Sequence, residues 1–264
     1  MRIAVPVKQV ASLDDDEFEL MPDGRGVDPD YLERELNEWD AFSLEAALEL
    51  KEAHDGVDVL VLTVGDEESE DVLLASLAKG ADRAIRVSDE GIETADPLVV
   101  ARVLAGALER EAPDLVLCGV QASDTVNGAT GVALAELLGF ARVAVVRRLE
   151  LDMAARAANV ERELEGGLAE VLKIQLPALL TVQTGINEPR YATLRAIKQA
   201  KEKPRSSLTL DELGLDVEDI RARAGGRIRT LSRPEEGPRA EMLDGKPADV
   251  AARILEIMRD RVAT

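Results

Sequence analysis

One cysteine, one histidine, one tryptophan, two tyrosines and three phenylalanines are all that the 264 residues contain of these types. A single thiol, Cys118, cannot close an intrachain disulfide, which predicts a reducing compartment. With His54 the only histidine, the chain offers no Ser-His-Asp set and no Cys/His metal cluster. Basic charge is short as well. Lys and Arg number 32 against 52 Asp and Glu, a net charge of −20. A surface this acidic argues against a nucleic-acid groove, which needs a basic surplus to neutralise phosphates. No run of about 18 apolar residues occurs, so no membrane-spanning helix is expected. The N-terminus, MRIAVPVKQV, enters a strand at once, without a signal core or an Arg/Ser-rich transit helix.

What is abundant is aliphatic. Apolar residues make up 46% while aromatics are only 2%, so the core must be built from Leu, Val, Ile and Ala. That usage suits parallel strands covered by helices on both faces. The order along the chain agrees. Ile3–Val7 reads as a first, central strand and Val57–Val64 as a second. Arg83–Val87 and Leu115–Cys118 follow. Between them lie helical stretches: one after Asn37, read as an N-cap, one over Glu68–Lys79, and one opening at Asp96-Pro97. Alternation over Arg142–Leu151, Asn159–Leu164 and Leu168–Leu176, turned by Glu165-Gly166-Gly167, predicts an antiparallel hairpin region. Ala178–Gln183 is one more strand, and Pro247–Arg261 a final helix with Val250, Ile254, Ile257 and Met258 on one face. The acidic run Asp14, Asp15, Asp16, Glu17 reads as a solvated excursion, and the stretch beyond Pro204 as a sparse tail broken by Gly225-Gly226, Pro234 and Pro238. The expected fold is α/β: a doubly wound, mostly parallel, Rossmann-like sheet with an antiparallel hairpin region and an extended C-terminal arm. The ends of Pro6–Val10, of Val64-Gly65 and the loop after Gly119 should share one crevice, where ligands sit in such sheets.

That last loop carries the clearest chemistry. A buried strand, Leu115–Cys118, breaks at Gly119 into Ser, Asp, Thr, Asn and Gly, then restarts as a helix near Thr130. Converging backbone N–H groups and a helix N-terminus make this a recipe for holding a phosphate. Gly128-x-x-Gly131 is neither a dinucleotide fingerprint nor a P-loop, so the same residues also read as a polar helix entry.

The stretch INEPRYATLRAIKQAKEK, residues 186–203, resembles the signature of the β subunit of electron transfer flavoprotein. VKQV (7–10), LNEWDAFSLEAALELKE (36–52), KGADRAIRV (79–87) and VERELEGGL (160–168) agree with the same family. The resemblance implies a heterodimer in which a larger α subunit holds the redox-active FAD and β forms a bowl beneath the flavin domain. It implies a structural AMP in β; in an electron-bifurcating branch β holds a second FAD instead. Electrons would arrive from acyl-CoA-type dehydrogenases of fatty-acid oxidation and leave for a quinone oxidoreductase. The implied organisation is a nucleotide-binding core over 1–185, including the hairpins of 142–176, a partner-recognition loop over 186–203, and an arm over 204–264 that contacts the α subunit. The implied setting is the bacterial cytoplasm, and the implied role is an electron-carrier subunit without catalytic residues of its own.

Carried over by position, Pro6, Asn37, Glu38, Trp39, Asp40 and Val64 surround the base and ribose. Gly119, Val120, Gln121, Ala122, Ser123, Asp124, Thr125, Val126, Asn127, Gly128, Ala129 and Thr130 form the phosphate loop. Gly128 and Ala129 stand where AMP-type members carry polar side chains. The Gly-Asp-Thr-Ala-Gln loop of FAD-binding β subunits is also absent, and AMP is the favoured ligand. The family's aromatic near the flavin edge falls at Leu13. Leu194 is the apolar anchor for the dehydrogenase, with Arg190, Tyr191, Arg195 and Lys198 around it. Glu163 is the carboxylate that pairs with an arginine of α. Two other readings remain: an ATP-cleaving enzyme, for which VPVKQV lacks the Ser/Gly-rich pyrophosphate loop, and a stand-alone adenine-nucleotide-binding protein, which would not need 186–203 or the long tail.

Overall fold

The computed structural model describes the chain except residues 13–17, 29–31, 89–91, 93–95, 227, 234–236, 238–239, 241 and 263–264. Leu13, the acidic run 14–17, Pro234 and Pro238 therefore lie outside the described residues. The strands are β1 (Arg2–Pro6), β2 (Gln9–Ser12), β3 (Glu33–Leu36), β4 (Asp58–Val64), β5 (Arg83–Val87), β6 (Leu115–Gly119), β7 (Ala141–Asp152), β8 (Ala157–Glu163), β9 (Ala169–Gln175), β10 (Ala178–Val182) and β11 (Arg205–Leu208). The helices are α1 (Glu38–Ala53), α2 (Glu70–Lys79), α3 (Pro97–Glu111), α4 (Thr130–Leu138), α5 (Leu194–Ala200), α6 (Val217–Ala222) and α7 (Pro247–Val262).

Nine strands form one sheet in the order β11-β5-β4-β1-β6-β10-β7-β8-β9, and β2 and β3 form a separate antiparallel pair. The pairings from β11 to β7 are parallel; β7-β8 and β8-β9 are antiparallel. The aliphatic strands predicted from the sequence build the parallel part, and the alternating ones the hairpins. Strand period 2 sorts side chains to two faces. Ile3, Val5, Val59 and Val61 meet Leu44, Leu48, Leu73 and Leu77 on the α1–α2 side. Ala4, Leu60, Leu62 and Val116 meet Val99, Leu104, Leu108 and Leu134 on the α3–α4 side.

Two features depart from the sequence reading. First, β7 serves two partners by bulging: Val145 adopts φ 62° and donates its N–H to Thr181 Oγ1 at 3.0 Å. The bulge lets one strand run parallel to β10 and then turn into a hairpin with β8. Second, the sparse tail contributes to the core. Arg205–Leu208 pairs in parallel with β5, and Leu210 and Ile220 are buried against the α3 side. RSSL has no apolar alternation because an edge strand is held by backbone pairing on one side only.

Residues Met1–Thr230 form one compact unit and Leu231–Thr264 a second. The second contains α7, on which Ile254, Leu255 and Met258 are exposed.

Candidate functional site

The chain runs outward from β1 through β4 to β5 and then returns to β6 on the other side of β1. Strand order thus reverses at β1, and a cavity of about 500 Å³ opens there at the carboxyl ends of β1, β4 and β6. Its size is ordinary for a small-molecule site, which spans ~300–1,000 Å³. Of the sequence-predicted residues, Pro6, Asn37, Asp40, Val64, Gly119, Val120, Gln121, Ala122, Thr125, Asn127, Gly128, Ala129 and Thr130 line it. Glu38, Trp39, Ser123, Asp124 and Val126 do not.

Helix α1 builds one wall. Asn37 stands at its N-cap position, yet its side chain makes no capping bond. It reaches instead to the β6–α4 loop, donating Nδ2 to Gln121 O at 2.9 Å and accepting the Ser123 N–H at 3.1 Å. The N-cap expectation is corrected in this respect: the polar side chain shapes the loop rather than the helix end. Asp40, one turn on, accepts the Lys8 N–H at 2.8 Å and the Gly119 N–H at 3.1 Å. One buried carboxylate so ties the ends of β1 and β6 to α1. Burial pushes its pKa up to about 7, against the backbone donors Lys8 and Gly119 and the Asn37 side chain, which pull it down. Gly119 has no room for a side chain: a Cβ would stand 2.6 Å from Trp39 Cβ and 2.5 Å from Asp40 Oδ1.

The opposite wall is the loop and α4. Gly128 sits at φ 60°, in the left-handed region, which explains why a glycine interrupts the polar run there. Val126 is also left-handed, at φ 51°, a strained state for a β-branched residue. Ala129, at the N-cap of α4, has no side chain that could accept from the first-turn N–H groups. Those donors are left without a side-chain cap from Ala129. Gly131 lets this helix end approach the sheet, since a Cβ would meet Thr181 Cγ2 at 2.8 Å. Lys8 bridges the two walls, its Nζ 2.7 Å from both Asp124 carboxylate oxygens.

Sequence reasoning missed the far side of the cavity. Pro97, Val100 and Leu104 of α3 line it, with Arg34 at β3. Their periodicity marks only a core-facing helix, and nothing local says that its first turns border a cavity. Cys118 also lines it; burial, with the Asp40 charge as a lesser cause, pushes its thiol well above the usual range. Among the described residues no group of His, Cys, Asp and Glu could hold a metal ion. No helix among them is long and apolar enough to cross a membrane.

Outside the cavity, Tyr191 is 97% exposed and Leu194, the first residue of α5, 82%. Thr193 caps that helix, accepting the Ala196 N–H at 3.2 Å. Arg195 and Lys198 are exposed. Arg190 is not a free surface charge: its guanidinium is bound to Glu45 and Glu52 of α1. Glu163 is exposed at the end of β8 and accepts from Gln183 Nε2 at 3.4 Å, while Trp39 donates Nε1 to Gln183 Oε1 at 3.1 Å. Trp39 thus bonds α1 to Gln183, the residue that follows β10.

A family model described as "Electron transfer flavoprotein domain" matches residues 26–213. The chain is 44% identical over 262 residues to "Electron transfer flavoprotein subunit beta" of Methylophilus methylotrophus, covering 98% of each chain. It is 34% identical over 248 residues to the protein of that name from Bacillus subtilis (strain 168), covering 93% of each. It is 36% identical over 219 residues to that of Homo sapiens, covering 82% of this chain and 84% of the human one.

Proposed function

The chain belongs to the electron transfer flavoprotein family as a β subunit, and we propose that it pairs with an α subunit, clamps a structural AMP in the β1–β6 cavity and docks flavin dehydrogenases through Leu194. Redox chemistry is supplied by the FAD held mainly by α; this chain's residues bind, orient and recognise. The reading is carried by the cavity, whose glycine-bearing loop and uncapped α4 N-terminus offer backbone donors to a phosphate. Asn37 and Asp40 hold that loop and the ends of β1 and β6 in place. Cys118 holds its proton, and Asp40 spends both oxygens on backbone donors. The nucleotide is therefore read as a stiffening ligand rather than a substrate.

Tyr191 and Leu194 form a small apolar anchor, with Arg195 and Lys198 beside it on a chain of net charge −20. Such an anchor suits a transient partner: the apolar centre supplies affinity and the basic rim speeds encounter with an acidic surface. Acyl-CoA-type dehydrogenases are the proposed donors and a quinone oxidoreductase the acceptor, in the bacterial cytoplasm. Glu163 is the proposed contact to an arginine of α.

Two experiments test this. AMP added to nucleotide-stripped β subunit raises its melting temperature in a concentration-dependent way, while FAD at equal concentration does not. Stabilisation by FAD and not AMP would transfer the chain to the electron-bifurcating branch. Separately, Leu194→Ala slows reduction of the heterodimer by an acyl-CoA dehydrogenase about tenfold or more, in line with losing a hot spot, and leaves assembly with α intact. Loss of the heterodimer instead would place Leu194 at the subunit interface.

A further inference from the structure

Three of the four glutamates of helix α1, Glu45, Glu49 and Glu52, are spaced so that they share one face. Glu45 is only 5% exposed, flanked by the buried Leu44, Ala46, Ala47 and Leu48. A carboxylate in that position is costly unless it is paired and fully hydrogen-bonded. Arg190, distant in sequence, supplies the pair. Its Nη2 lies 2.7 Å from Glu45 Oε1, its Nε 3.0 and 2.9 Å from the two oxygens, and its backbone N–H 3.0 Å from Oε2. The remaining nitrogen, Nη1, binds Glu52. The Arg190 hydrogen bond holds Glu52 below the usual carboxylate range, while burial, helped by the Glu45 charge, raises Glu49.

Other contacts fix the same segment. Asn187 Nδ2 donates to Phe42 O at 3.1 Å, also on α1. At the far end, Lys203 Nζ caps the C-terminus of α2 through Leu77 O at 2.8 Å and Ala81 O at 2.6 Å. Ala200 is the buried foot of α5. Between these anchors Tyr191 and Leu194 stand almost fully in solvent.

We propose that Glu45 and Arg190 are positioning residues for partner docking: they lock the segment 187–194 against α1 so that Leu194 is presented in its bound arrangement before a dehydrogenase arrives. This rests on the reading of Leu194 as the docking anchor. The fork geometry of the guanidinium fixes direction as well as distance, which a lysine cannot reproduce. A pre-ordered segment spares the ordering cost that an unanchored loop would incur on binding. Arg190 thereby acts inward, and Arg195 and Lys198 remain as the outward charges.

The test uses the αβ heterodimer and a purified acyl-CoA dehydrogenase with its acyl-CoA substrate. In Glu45→Gln, backbone amides of 190–197 exchange with deuterium about tenfold faster. The apparent KM for the dehydrogenase rises by a similar factor, as expected when the competent arrangement falls to about a tenth, while kcat changes less than about twofold. Arg190→Lys leaves α1 untouched and gives a smaller rise in both, and it carries the test if Glu45→Gln does not assemble. Unchanged exchange and KM in these variants, with Leu194→Ala still slow, overturn the clamp alone. A large KM rise in Arg190→Lys without faster exchange also overturns it, because Arg190 would then touch the partner directly. If Leu194→Ala leaves reduction unchanged, the docking reading itself falls and the clamp's role in docking falls with it.

Discussion

At Asp40 two effects oppose each other. Burial favours the neutral acid, while the Lys8 and Gly119 N–H donors favour the carboxylate. With a folded-state pKa of about 7 against 3.8, the folded chain keeps a proton that the unfolded chain has lost across that window. Stability therefore falls as pH rises from about 4 to 7, by on the order of a few kcal/mol, and levels off above 7. Asp40→Asn cannot titrate, so the stability of the parent relative to this variant should decline over the same interval in urea melts. A difference that stays flat from pH 4 to 8 would show that the backbone donors win and the group is ionised throughout. Lys8 and Cys118 also face Asp40, and burial holds the Cys118 thiol far above this window, so it does not mimic the profile.

Among the elements, α1 joins the most functions. Its N-terminal end holds the β6–α4 loop through Asn37 and Asp40, its middle binds Arg190 through Glu45, and Trp39 reaches Gln183, just past β10. The contact that seats it on β6 is Gly119, where a Cβ would stand 3.0 Å or less from Trp39 and Asp40 atoms. Gly119→Ala should cost about 1–3 kcal/mol from forced backbone shifts and weaken AMP binding by moving the loop. Parent-like melting and AMP affinity would show that α1 shifts freely. The element pattern was legible where burial is two-sided: Val57–Val64 and Leu115–Cys118 are aliphatic because both faces are covered. β11 was illegible, its pairing made by backbone groups and its side chains polar. The site was half legible. Gly119 through Thr130 announce a loop opening a helix, but the cavity lining from Val100 and Leu104 exists only once α3 lies on the sheet. The inward role of Arg190 was hidden for the same reason. A charge in a basic stretch reads as a surface charge until the partner 145 residues away is seen.

For the molecule as a whole, the reversal of strand order at β1 sets where a ligand sits, and the edges of the sheet are left for other work. The proposed nucleotide cavity and the proposed docking segment are separate features joined by α1. The central claim is that the cavity holds a structural AMP. The most direct measurement is chromatography of the nucleotides released when the purified heterodimer is denatured. The account predicts one AMP and one FAD per heterodimer. Two FAD and no AMP would contradict it.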